Sequence, residues 1–141
     1  MFRAAVIYAP AALQAAAERI ADSLDRQRFQ VLVKPADQAS IPDLAAADLV
    51  LLGSSAQGRA ALPDEFAEIA RALSGIDLSG RVAGVFAAGG DTPLAVWKKA
   101  LKDSGIRLEE NLLRSDGADA KVLGGWLAGL TKQVEEQARG R

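Results

Sequence analysis

Short apolar runs alternate along this chain with longer stretches whose apolar residues recur every three or four positions. Arg3 to Ala9 (RAAVIYA) is a continuous apolar run and predicts a buried strand. From Ala12 to Arg26 the apolar residues Leu13, Ala16, Ala17, Ile20 and Leu24 fall on one face of a helix. Phe29 to Val33 predicts a second strand, stopped at Pro35, and Asp48 to Gly53 (DLVLLG) a third. Pro63 opens a second helix with Phe66, Ile69, Ala70 and Leu73 inward, and Ser74-Gly75 ends it. Arg81 to Ala87 (RVAGVFA) predicts a fourth strand. Thr92 serves as N-cap of a helix carrying Pro93, Leu94, Trp97 and Leu101, closed at Gly105. Ile106 to Leu113 predicts a fifth strand, weakened by Glu109, Glu110 and Asn111. Asp119 to Gln137 predicts the last helix, with Val122, Leu123, Trp126, Leu127, Leu130 and Val134 at helical spacing.

Strands that alternate with helices in this way predict parallel pairing, right-handed crossovers and helices on both sheet faces. The 141 residues fit one domain, residues 1–141, with a full core. Val6, Ile7, Val50, Leu51, Val85 and Phe86 are expected at its centre. Ligand sites in such sheets lie beyond the C-terminal ends of the strands. The loops to inspect are therefore Pro10 to Gln14, Pro35 to Ser40, Ser54 to Leu62, and Ala88 to Asp91.

Composition narrows the chemistry. The chain has no histidine and no cysteine. That removes imidazole general bases, thiol nucleophiles, disulfides and the usual His/Cys metal sites. No set of side chains forms a catalytic motif, and no metal site is expected. The net charge of -1 makes no electrostatic case for nucleic acid or an anionic membrane. The opening MFRAAVIYAP lacks a signal-peptide core, and no apolar run approaches bilayer length, so a cytoplasmic location is expected.

Three stretches carry a resemblance. "DLVLLGSSAQGRAALPDEFAEIARAL" is similar to the third strand, flavin loop and Leu-Pro helix start of flavodoxins. "LSGRVAGVFAAGGDTPLAVWKKALKDSGIRL" resembles their fourth strand, second flavin loop and helix. "LLRSDGAD" resembles the Asp-Gly segment that follows the fifth strand, and "AAGGDTP" is similar to the flavodoxin-like domains of A-type flavoproteins. The resemblance implies a flavodoxin-like three-layer α/β/α sandwich with a five-stranded parallel sheet in order 2-1-3-4-5. It also implies flavin mononucleotide (FMN) at the strand ends and electron transfer. The cofactor-binding positions it implies are Pro10, Ala11, Ala12, Leu13 and Gln14 in the first loop. Ser54, Ser55, Ala56, Gln57, Gly58 and Arg59 follow in the second, and Ala88, Gly89, Gly90 and Asp91 in the third.

This sequence departs from the family at the phosphate. Flavodoxins place hydroxyls, a glycine and an asparagine in the first loop, where this chain has Pro10, Ala11, Ala12 and Leu13. Pro10 has no N–H, and the interval from Tyr8 to Ile20 is shorter than the family's. The family also stacks loop aromatics on the flavin ring, and neither 54–62 nor 88–91 contains one. Trp97 and Trp126 read as core. Ser54, Ser55 and Gln57 have two readings, contacts to a flavin or bonds within their own loop. Gly89-Gly90-Asp91 has two as well, close approach to a ring or a turn into the helix. Arg59 is the one cation in the expected loops; it has two readings, a solvated side chain or, if an anionic ligand binds there, its main cationic contact. The expectation is a protein of FMN-dependent electron-transfer ancestry with weak or absent FMN binding, serving a redox partner. The alternatives are a flavin-free interaction module acting as a scaffold for a protein partner, and a small FMN-dependent reductase.

Overall fold

A computed structural model of the chain describes residues 1–55, 62–115 and 119–140. The strands are β1 (Phe2–Ala9), β2 (Phe29–Pro35), β3 (Leu49–Ser55), β4 (Val82–Ala88), β5 (Arg107–Leu108) and β6 (Leu113–Arg114). The helices are α1 (Gln14–Ser23), α2 (Ile41–Ala45), α3 (Ala67–Leu73), α4 (Thr92–Ala100) and α5 (Ala120–Arg139). Every described strand pair is parallel, and the order is β2-β1-β3-β4-β5, with β6 also on β4. This is the flavodoxin-like α/β/α sandwich.

Successive strand residues face opposite layers, as the pleat requires. Ala4, Val6, Tyr8, Leu49, Leu51, Val82 and Phe86 face α1 and α5. Ala5, Ile7, Ala9, Val50, Leu52, Ala83 and Val85 face α2, α3 and α4. Val6, Ile7, Val50, Leu51, Val85 and Phe86 are all fully buried, as expected. A Cβ on Gly53 would stand 2.3 Å from the Phe86 ring, so the bare glycine is what lets that ring lie across β3. On the opposite face the Phe66 and Trp97 rings meet edge to face with centroids 4.8 Å apart.

The structure departs from the sequence reading in four places. The fifth strand is not continuous: β5 and β6 are two residues each. Between them Glu109 takes a hydrogen bond from Gln133, and the Asn111 carbonyl accepts from Trp126 Nε1 at 2.9 Å. Polar groups there turn to α5 instead of continuing the ladder. Trp126 is accordingly half-buried, whereas Trp97 is fully buried. Helix α2 lies where the sequence reading had only a loop. Its start is a capping box, with the Ser40 amide donating to Asp43 Oδ2 at 2.9 Å. Finally, Asp91, not Thr92, occupies the N-cap position of α4, and its side chain makes no capping bond.

Candidate functional site

The parallel register brings the strand ends into rows across the sheet. One row is Pro35, Tyr8, Gly53, Phe86 and Leu113. The next is Ala9, Ser54, Ala87 and Arg114, and beyond it Ser55 pairs with Ala88. Four of the sequence-predicted loops start from this rim. The elements that meet there are β1, β3 and β4 at the centre, with α1 and α4 leaving it.

The β1–α1 junction is built from apolar atoms. The Ala9–Pro10 peptide is cis, and Ala11–Leu13 form a single tight turn before α1. The Leu13 amide donates to the Pro10 carbonyl at 3.0 Å, and the Leu13 side chain is buried in the core. Ala11 and Ala12 are exposed. Their amides begin a helix and have no intrahelical acceptor. The first side chain able to donate is Gln14, and its Nε2 bonds Glu18 Oε1 at 3.1 Å, one turn further along α1. That contact directs the amide along the helix and sets a carboxylate beside it.

The end of β3 behaves differently. Ser54 is buried, and its Oγ accepts from the Trp97 indole N–H at 2.9 Å. Neither reading of Ser54 anticipated this, since the partner is a core side chain of α4. The bond leaves the Ser54 hydroxyl hydrogen as its one remaining donor. Ser55 faces the other layer, and its Oγ is buried without a hydrogen-bond partner among the described residues. Ala56, Gln57, Gly58 and Arg59 lie outside the described residues.

At the end of β4, Ala88 is half-buried and Gly89 adopts φ +90°. That value is in the region glycine tolerates without steric cost. Asp91 is exposed, and its Oδ1 pairs with the guanidinium of Arg114 at 3.2 Å. Ser115 ties the end of β6 to β4, donating from both its amide (2.9 Å) and its hydroxyl (3.1 Å) to the Ala87 carbonyl. Arg114 thus brings a second cation to this rim, beside the one expected at Arg59. The sequence signal was at hand, because Arg114 stands within "LLRSDGAD". Residues 116–118 of that stretch lie outside the described residues.

Among the described residues no three acidic, histidine or cysteine groups gather as a metal site, and no helix is long and apolar enough to cross a membrane. A groove of about 290 Å³ runs along β1, β2 and α2, lined by Arg3, Gln30, Leu32 and Asp43. It opens beside the β2 edge rather than at the rim. Asp43 there sits below the ordinary carboxylate value, first because the Ser40 amide bonds its charged form, and also because Lys34 lies 3.2 Å away.

No protein-family model and no curated protein matches the chain. Solved structures do. A short-chain flavodoxin associated with a PDU bacterial microcompartment is similar with a TM-score of 0.82 and 24% identity, over 95% of this chain and 99% of that one. A Fusobacterium nucleatum flavodoxin bound to flavin mononucleotide has a TM-score of 0.75 and 12% identity, over 94% of this chain and 99% of that one. A flavodiiron core from Synechocystis has a TM-score of 0.72 and 16% identity, over 99% of this chain and 37% of that one. The chain therefore has the flavodoxin-like fold, and it spans nearly the whole length of the two flavodoxins.

Proposed function

We propose that this is a flavodoxin-like protein of FMN-dependent electron-transfer ancestry whose hold on FMN is weakened or lost. The fold supports the ancestry, and the β1–α1 junction carries the loss. Tested against FMN, the rim fits in part. Ser55 Oγ is a buried hydroxyl with its hydrogen bond unmet among the described residues, and the Gly89 turn admits close approach of a flat ring. The phosphate end does not fit. Pro10 has no N–H, Ala11 and Ala12 have no hydroxyl, and Gln14 is engaged by Glu18. A flavin, when bound, would supply the redox chemistry. The chain's own residues would only bind and orient it.

The size of the loss follows from elementary terms. A hydrogen bond to a charged group contributes about 1.5–3 kcal/mol. Two absent donors remove about 3–6 kcal/mol, or about 10²–10⁴-fold in affinity at 1.4 kcal/mol per decade. Absent stacking partners remove about 0.5–1.5 kcal/mol each beyond area. The protein is expected to purify without stoichiometric FMN. Denaturing it and measuring released flavin by fluorescence tests this, and one FMN per chain would overturn the reading.

A second reading, a flavin-free module that uses the fold as a scaffold for a protein partner, is favoured by the same donor-poor junction. It is the outcome if neither FMN nor riboflavin binds. In either reading the expected setting is the cytoplasm, and the expected partner is a protein.

A further inference from the structure

Asp91 stands at the N-cap position of α4 with helical backbone (φ -96°, ψ -7°), a conformation that does not aim its side chain at the first amides of its own helix, and it makes no capping bond. Its carboxylate reaches away to Arg114, 23 residues on, at the end of β6. The pair spans the rim from β4–α4 to β6. It follows directly on Gly89 and Gly90, both at positive φ (+90° and +154°). On the β6 side the anchor is firm, because Ser115 donates twice to the Ala87 carbonyl next to Arg114.

We propose that Arg114 is a positioning residue for the candidate site. Its contact with the Asp91 carboxylate ties the start of α4 to the end of β6 and so sets the course of the Gly89–Gly90 turn across the strand ends. The same contact cancels the negative charge of that loop. The second role rests on the flavin reading. A flavin that has taken up two electrons from a chemical reductant and one proton is an anion at neutral pH, and an uncancelled Asp91 would repel it.

Arg114→Gln leaves the loop with an unpaired carboxylate, and Asp91→Asn leaves it with an unpaired guanidinium. Both break one contact, but they change the local charge in opposite directions. The first measurement uses the protein alone. Arg114→Gln is expected to move the backbone amide resonances of Gly90 and Asp91, with the exposed α4 variant Lys98→Gln as a control that leaves them in place. Unmoved resonances in Arg114→Gln overturn the positioning role. The second measurement uses riboflavin and its potential when bound, which reports the ratio of reduced to oxidised affinity. At low salt that ratio is expected to fall about two- to five-fold in Arg114→Gln and to rise comparably in Asp91→Asn. A shift of the same sign in both variants, or none, overturns the charge role. Wild-type protein that binds neither riboflavin nor FMN overturns the charge role and favours the flavin-free scaffold, while the amide resonances still decide the positioning role.

Discussion

Two strand-to-helix junctions share one rim and treat their polar groups in opposite ways. The β1–α1 junction turns inward: Leu13 enters the core, Pro10 offers only its carbonyl, and Gln14 bonds within its own helix. The β4–α4 junction reaches outward. Asp91 pairs with Arg114 on β6, and Trp97 of the helix that follows bonds Ser54 on β3. The fold makes both junctions, at the ends of the two strands that flank β3. What the two differ in is donors and charges. Two junctions placed alike by one fold thus differ in what they offer a ligand.

The largest expected effect tests how far α4 is tied to the rim. Trp97 is fully buried, so Trp97→Ala should cost about 3–5 kcal/mol by urea denaturation. Ser54→Ala leaves that indole N–H buried without an acceptor, for about 1–3 kcal/mol. If Ser54→Ala were neutral, the bond would not hold the junction, and Ser54 would be available to a ligand after all.

The next effect lies away from the rim and serves as a control on local polar ties. Asp43→Asn should cost about 1 kcal/mol by removing the charge that the Ser40 amide and Lys34 meet at the start of α2. The Ser40 amide and Lys34 favour the charged carboxylate, so its folded value is lowered. Its contribution is therefore fully present above the ordinary aspartate value and lost as pH falls through the lowered one. Asp43→Asn should remove that part of the acid sensitivity. Equal acid profiles for wild type and variant would rule out the contact as a stabilising one.

The smallest effect on stability belongs to the Arg114–Asp91 pair. Its side chains are 63% and 73% exposed, so breaking it should change thermal stability by less than about 1 kcal/mol. A large loss would show that the pair holds the fold rather than the loop, and would weaken the contrast between the junctions.

Most of the fold was legible in the apolar periods, and the reasons for the misses are physical. Strands such as VIYA and LVLL are covered on both faces, and their continuous apolar character says so. Helix α2 was missed because five residues carry too little periodicity, although Ser40-Ile41-Pro42-Asp43 spells a capping box. The break in the fifth strand was hinted at by Glu109, Glu110 and Asn111, but their partners, Gln133 and Trp126, come from a distant helix. Thr92 looked like a cap from local sequence. The observed cap position is Asp91, whose carboxylate goes to Arg114 through a long-range contact. The candidate site was legible as loops and much less as contacts. The missing donors at 10–13 can be read from residue types alone. The Ser54–Trp97 bond and the approach of Arg114 need the register of the sheet.

The most direct measurement is a pair of fluorescence titrations, FMN and riboflavin, on the purified protein. The two ligands differ only in the phosphate, and the β1–α1 junction is where a phosphate would be held. Comparable affinities for the two, both micromolar or weaker, are predicted. Tight binding of FMN with a large preference over riboflavin would contradict the account, because it would show that the bare amides of Ala11 and Ala12 hold the phosphate without a hydroxyl.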